Sequence, residues 1–154
     1  MDQPGGSPHG LDLTRQRRIG VRDALGEVET ALATAAGGRA ETWVATMSER
    51  LAALEDAWHR HVEQAESPEG LFAQLMDDAP RLRNRVDRLR KDHATINAAI
   101  ANARQKVAAA APGGKPVDQA REAVVGLLAA LVRHRYQGAE VVYEAYNVDI
   151  EAGD

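Results

Sequence analysis

The chain has 154 residues, enough for one domain with its own core, and its composition excludes several classes of protein. Hydrophobic residues make up 44% of it but aromatic residues only 4%, a balance that favours packed helices over a β-sandwich. The absence of cysteine excludes disulfides and thiolate metal ligands. Because the net charge is −4, there is no general attraction to phosphate backbones, and we expect no nucleic-acid partner.

The two ends of the chain differ in composition from its middle. Residues 1–10 are rich in glycine and proline and predict a flexible tail, residues 11–150 predict one bundle, and residues 151–154 predict a short C-terminal tail. The first tail lacks the positive start and apolar centre of an export signal. The longest apolar run, residues 123–132, is too short to span a bilayer. We therefore expect a soluble, cytoplasmic protein with no membrane partner.

Helix-breaking residues divide the middle of the chain into four long helices. The breaks fall at Gly37-Gly38, Ser67-Pro68, Ala79-Pro80 and residues 112–116. Ser67-Pro68 is also a helix-start signal, so a short helix is predicted over residues 68–78, with the third long helix starting near Pro80. Since the other connections are too short for a crossover, the predicted fold is an all-α, up-down-up-down four-helix bundle.

Each long segment carries apolar residues at alternating steps of three and four, as in helices that pack around a shared core. One basic residue interrupts the run of each predicted helix: Arg18 in the first, then His61, His93 and His134. The four stripes are Leu11, Thr14, Arg18, Val21, Leu25, Val28, Leu32 and Ala35; Trp43, Met47, Leu51, Leu54, Trp58, His61 and Ala65; Leu82, Val86, Leu89, His93, Ile96, Ile100, Ala103 and Val107; Ala120, Val124, Leu127, Leu131, His134, Gly138, Val141 and Ala145.

The interrupting residues are predicted to lie at one level of the bundle. Their offsets from the nearest interhelical loop range from His134, which is 17 residues after Val117, to His61, which is 23 residues after Gly38. At about 1.5 Å per residue these offsets agree within roughly two turns, so the three imidazoles can converge. Three converging imidazoles are suited to bind a zinc or iron ion. The alternative is that each is an ordinary core histidine, which is usually hydrogen-bonded to a neighbouring residue.

Two carboxylates are the preferred candidates to complete such a site, Glu66 at the end of the second helix and Glu144 on the fourth; an ordinary solvated charge is the alternative for each. His59 and Glu63 are predicted to lie on the solvent face instead, about 160° around the helix from His61. Further residues on or beside the seam are candidates to contact a bound ligand: Arg18, Gln64, Asn97, Gln137, Gly138 and Tyr143.

The segments around the three histidines resemble the hemerythrin-like (HHE) cation-binding family. The resemblance is carried by residues 54–66 with His61, by Leu89-Arg-Lys-Asp-His93-Ala-Thr-Ile96, and by His134 after the run Leu127-Leu-Ala-Ala-Leu131. It implies a four-helix bundle over residues 11–150 that holds two iron ions between histidines from every helix and bridging carboxylates.

The chain departs from that family pattern at three positions. Arg18 stands where the family usually has a histidine on the first helix, and Ala65 and Gly138 stand where it tends to have glutamate four residues after the histidines of the second and fourth helices. Because a two-iron centre needs anionic bridges, the resemblance here implies a reduced site with one metal ion at most.

Three functions agree with these observations. The leading one is a small module that binds or senses one zinc or iron ion, or a small ligand on it, through His61, His93 and His134. The second is a zinc-dependent hydrolase or lyase in which Glu66 or Glu144 acts as general base. The third is a metal-free helical module whose polar layer fixes helix register and whose exposed apolar strip mediates partner contacts or homodimerisation.

Overall fold

The computed structural model describes residues 20–33, 40–110 and 117–152, with side chains described as far as residue 147. These ranges contain α-helices and no strand, which confirms the all-α prediction. Arg18, the first half of the first predicted helix and the N-terminal tail lie outside the described residues. The elements are α1 (Val21–Ala33), α2 (Ala40–Glu66), α3 (Leu71–Asp78), a 3-10 turn (Pro80–Leu82), α4 (Arg83–Ala109) and α5 (Val117–Ala152).

The four long helices form a closed ring of neighbours. The closely packed pairs are α1 with α2, α2 with α4, α4 with α5, and α5 with α1. Between α2 and α4, and between α4 and α5, the residue numbers of contacting side chains rise along one helix while they fall along the other, so the helices of each of these two pairs run antiparallel. The pairs are Glu55 with Arg104 and Glu66 with His93 between α2 and α4, and Arg85 with Glu144 and His93 with His134 between α4 and α5.

The predicted apolar stripes are the buried faces of these helices. Every stripe residue of α4 is buried, and so are those of α2 and α5 except His61 and Gly138, which are half-buried. On α1 the centre of the stripe is buried, and Val21 and Leu32 pack against it partly exposed. None of the helices in the described ranges has both the length and the apolarity that a bilayer crossing requires.

The core consists of two hydrophobic clusters, and the histidines lie at the boundary between them. The larger cluster takes residues from α1, α2, α4 and α5, and the smaller one is built around α3. Each histidine stands between the last residue of one cluster and the first of the other on its helix: Trp58 and Ala65 flank His61, Ile96 and Leu89 flank His93, and Leu131 and Val141 flank His134. A polar layer therefore crosses an otherwise apolar interior.

The corner between α2 and α3 differs from the prediction. Residues 67–70 form a turn in which the Gly70 amide donates to the Ser67 carbonyl at 2.8 Å, so α3 begins at Leu71 and Ser67 does not cap it. Gly70 lies directly against the carbonyl oxygen of Gln64, an approach that leaves no space for a side chain. At the other end of α3, Pro80 begins a 3-10 turn, and α4 follows three residues later than predicted.

The Gly70→Ala substitution is expected to destabilise the protein, by at least about 2 kcal/mol, because the new Cβ would collide with the Gln64 carbonyl. Gly126→Ala is the matched control. A Cβ at Gly126 meets nothing within 4 Å, and alanine is the better helix former, so stability should rise by up to about 1 kcal/mol. Urea unfolding of both variants measures the difference, and equal stabilities would contradict the packing at this corner.

Candidate metal centre

One histidine from each of α2, α4 and α5 meets in the interior. A ring nitrogen of His61, one of His93 and one of His134 all lie within 4.8 Å of one another. The ring centroids are 5.1 Å apart for His93 and His134, and 5.6 Å apart for His61 and either of the others. The predicted convergence of three imidazoles therefore occurs, at the level that helix register indicated.

The outer nitrogens of the two deepest rings each face a carboxylate. Nδ1 of His93 lies 2.9 Å from Oε1 of Glu66, and Nδ1 of His134 lies 3.4 Å from Oδ2 of Asp92. An ionised carboxylate can only accept a hydrogen bond, so Nδ1 carries the hydrogen in each neutral ring and Nε2 keeps its lone pair. Carboxylates in this position fix the tautomer and orientation of metal-binding histidines and raise their basicity.

Nε2 of His93 has no hydrogen-bond partner in the part of the chain that the structure describes. His93 is 3% exposed, and its Nε2 is a buried atom without a hydrogen bond among the described residues. Leaving such a nitrogen unpaired costs on the order of 1–3 kcal/mol, unless a further group satisfies it. Nitrogen ligands of a tetrahedral zinc ion are about 3.4 Å apart, so small side-chain rotations would bring the three rings within range of one ion. The donors present thus fit a metal ion.

Trp58 forms the apolar side of the histidine layer. Its ring stacks on His61 at 5.1 Å and meets His93 and His134 edge-on, each at 5.3 Å. The side chain is fully buried, and its indole nitrogen donates to Oδ1 of Asn97 at 2.6 Å. Asn97, predicted from sequence to contact a ligand, thus holds the indole that packs against all three imidazoles.

Phe72 covers one face of the His93 ring, a contact that the sequence did not predict. Its ring stacks on the imidazole at 5.4 Å with an interplanar angle of 17°, and the Arg90 guanidinium lies 5.6 Å from the Phe72 ring centre. Phe72 belongs to the short helix α3, so this element closes the layer. The only signal in the sequence was the apolar pattern of α3, which indicates burial but not against which residue.

Burial, together with the repulsion that a positive charge on His61 would feel from the neighbouring His134 and His93, lowers the pKa of His61 to about 4. Burial also lowers the pKa of His134, although the hydrogen bond and the negative charge of Asp92 act in the opposite direction. Both rings are therefore neutral at pH 7, which is the form that binds a metal ion.

The two candidate carboxylates have different surroundings. Glu66 reaches the histidine layer, but through Nδ1 of His93 rather than toward the space between the rings. Glu144 does not reach it: its carboxylate is paired with Arg85, and its backbone carbonyl accepts a hydrogen bond from Arg81 at 3.1 Å. Asp92, on the helix turn beside His93, takes the position next to His134.

The other predicted contact residues that lie within the described ranges do not join the histidines. Gln64, Gln137 and Tyr143 are exposed, and Tyr143 and Gly138 line an open groove of about 580 Å³ on the outer surface of α5. A Cβ at Gly138 would meet nothing within 4 Å, so this glycine makes no close helix contact. His59 and Glu63 are exposed, in agreement with their predicted solvent face.

Among the described residues, the cluster of possible ligand atoms contains only the three histidines. Ala65 and Gly138, the positions where the resemblance led one to expect carboxylates, supply no donor atom. An enclosed histidine triad within a four-helix bundle defines the chain as a helical-bundle protein with a candidate metal centre.

A family model described as Hemerythrin HHE cation binding domain matches residues 21–145. The chain therefore belongs to the hemerythrin HHE family, as the residues around the histidines suggested. No curated protein matches the chain significantly, and no solved structure does.

The lowered pKa of His61 predicts that the metal-free protein loses stability in mild acid. His61 titrates near 6.5 in the unfolded chain but at about 4 in the fold, so the unfolded state binds more protons between these values. The free energy of unfolding should fall by on the order of 1 kcal/mol from about pH 7 to about pH 5, a figure reduced by the partial solvent exposure of the ring.

Urea unfolding in the presence of a chelator, repeated across this pH range, measures the effect. The His61→Gln variant should show a weaker dependence on pH than the parent protein, whereas His59→Gln, which changes an exposed ring, should keep the full dependence. A stability that stays flat with pH in the parent would show that His61 is not buried as described.

Proposed function

We propose that the protein binds one transition-metal ion, zinc or ferrous iron, through His61, His93 and His134. The observation that carries this proposal is the buried Nε2 of His93, which has no hydrogen-bond partner among the described residues, in a cluster whose three ring nitrogens lie within 4.8 Å of one another. Such a nitrogen is costly to bury unless a further group satisfies it, and neutral imidazole is the commonest metal ligand in proteins.

A single ion is proposed because imidazole donors bring no negative charge to the site. Two adjacent divalent ions would repel each other strongly without bridging anions, and no carboxylate belongs to the cluster within the described residues. Zinc and other divalent ions are commonly held by three protein ligands with a further position left for water or a small ligand. When bound, such an ion acts as a Lewis acid toward that ligand. We therefore propose binding or sensing of a metal or small ligand as the function.

The roles of the surrounding residues follow from their contacts. Glu66 and Asp92 orient the rings of His93 and His134 by accepting from Nδ1, which leaves the lone pair of each Nε2 available to hold a metal ion. Trp58 and Phe72 pack against the rings and keep bulk water away from the nitrogens. Asn97 contributes through Trp58, by fixing the plane of the indole.

Replacement of any one of the three histidines by alanine should abolish stoichiometric metal binding. Protein loaded separately with zinc and with ferrous iron should retain about one ion per chain after desalting, and each variant should bind at least about 100-fold more weakly, since a ligand is lost. His59→Ala is the matched control, because it removes an exposed imidazole of the same helix. Elemental analysis and calorimetric titration give stoichiometry and affinity.

Failure of the parent protein to retain either ion would overturn the proposal. Retention of two ions per chain would overturn the single-ion site while leaving metal binding in place. A metal that stays bound after all three alanine substitutions would place the site elsewhere in the chain.

The Glu66→Gln variant tests the orienting role of that carboxylate. We expect metal affinity to fall by about 10–100-fold with one ion still bound at saturation, because the amide accepts from His93 more weakly and does not raise its basicity. Glu63→Gln, on the exposed face of the same helix, serves as control and should leave affinity unchanged. Complete loss of binding at saturating metal would show instead that Glu66 is itself a ligand.

A further inference from the structure

The outer face of α5 carries an apolar stripe that no helix within residues 20–33, 40–110 or 117–152 covers. Its large members are among the most exposed apolar or aromatic side chains described, with Val125 at 52%, Val132 at 50%, Tyr136 at 67% and Tyr143 at 66% exposure. This face lies on the opposite side of the helix from His134 and Val141, which are buried. Single exposed apolar residues are normal, but a continuous row marks an interaction site.

The spacing of the row is that of a coiled-coil seam. Val125, Ala129, Val132, Tyr136, Ala139 and Tyr143 follow one another at steps of four, three, four, three and four residues. This repeat keeps the six side chains on one face of the helix over a length of about 27 Å. The buried stripe of α5 has the same repeat, so α5 carries two seams, one for its own bundle and one without a partner among the described residues.

We propose that this outer seam of α5 packs against the same seam of a second copy of the chain, with the two helices antiparallel. The sizes of the side chains select the direction. In an antiparallel pair Tyr136 faces Ala139 of the second copy and Tyr143 faces Val132 of the second copy, so each large residue meets a smaller one. A parallel pair would set tyrosine against tyrosine and alanine against alanine, alternating crowded layers with gaps.

The charges beside the seam select the register. In the pairing just described, Arg133 lies beside Glu140 of the second copy, and twofold symmetry makes this contact twice. Shifting the helices by one heptad in one direction brings Arg133 against Arg133, and in the other direction Glu140 against Glu140. Arg133 has no side-chain partner of its own within the described ranges, and Glu140 makes only a long contact of 3.8 Å with Arg85.

The surface beside the seam has the shape that this pairing needs. Two open grooves flank the ridge of α5, one of about 610 Å³ against Arg85 and Glu144, the other of about 580 Å³ against Leu71. Ala139 and Tyr143 line both grooves, so a tyrosine from the second copy can enter beside Ala139. The pairing uses none of the histidine layer and is independent of metal binding.

Sedimentation equilibrium of the full chain, over about 10 μM to about 1 mM, tests the proposal. The parent protein should be a dimer at the upper end, and Tyr136→Glu should be monomeric with unchanged helicity, since Tyr136 is already exposed in the single chain. A parent that stays monomeric overturns the proposal, and so does a dimer that survives Tyr136→Glu. A monomer whose α5 face instead binds neutral lipid vesicles, without forming dimers, also overturns it.

A charge exchange distinguishes the antiparallel from the parallel pairing. Arg133→Glu should weaken the dimer on the order of tenfold by placing like charges together, and the double variant with Glu140→Arg should restore it. In a parallel pair Glu140 would instead lie beside Arg135 of the second copy. The antiparallel arrangement is overturned if the Arg135→Glu and Glu140→Arg double variant restores the dimer and the Arg133→Glu and Glu140→Arg double variant does not. Lys106→Glu, the same charge change on the exposed surface of α4, is the control and should leave the dimer unchanged.

Discussion

The need to satisfy three imidazoles inside an apolar bundle governs the arrangement of this structure. Each ring has two polar nitrogens, and a buried nitrogen without a partner costs on the order of 1–3 kcal/mol. Nδ1 of His93 and Nδ1 of His134 lie beside carboxylates on α2 and α4, and one ring nitrogen of each of the three histidines lies within 4.8 Å of the others. The layer that results separates the two hydrophobic clusters, so its geometry and the packing of both clusters constrain one another.

Aromatic rings make this polar layer compatible with the apolar interior. The ring of Trp58 packs against all three imidazoles, and its indole nitrogen donates a hydrogen bond to Asn97. The tryptophan is therefore buried without leaving its own nitrogen unsatisfied. Phe72 provides the matching surface from α3. The short helix is therefore more than a connection between α2 and α4. It is held in place on one side by the turn at Gly70 and on the other by the contact of Tyr146 with Asp78, at 2.9 Å.

The spacing of apolar residues predicted the long helices, their buried faces and the level of the histidines, because a stripe with a period of 3.5 to 3.6 fixes both face and height. It did not predict the partners of the histidines. Glu66 lies in the last turn of α2, and whether its carboxylate faces outward or bends to His93 depends on how α4 packs beside it. Likewise, the pairing of Glu144 with Arg85 depends on how α4 is rotated relative to α5, and the apolar stripe of one helix does not specify that rotation.

The boundaries of the short elements were less predictable for a related reason. Ser67-Pro68 is a good local start signal, yet the chain continues α2 into a turn and begins α3 only after Gly70, because the close approach to Gln64 is a tertiary contact. Phe72 illustrates the same limit. Its burial follows from the local apolar pattern, but the ring that it contacts belongs to His93, which lies 21 residues later in the chain, on α4.

The position of Trp58 gives the molecule an internal optical reporter. The chain has two tryptophans, and the other, Trp43, lies near the opposite end of the bundle beneath the Arg121 guanidinium, 5.7 Å from its ring centre. Indole emission responds to the charge and polarity of groups in contact with the ring, and Trp58 contacts all three imidazoles. With Trp43 replaced by phenylalanine, the fluorescence of the protein becomes a direct reading of the state of the histidine layer, without any added label.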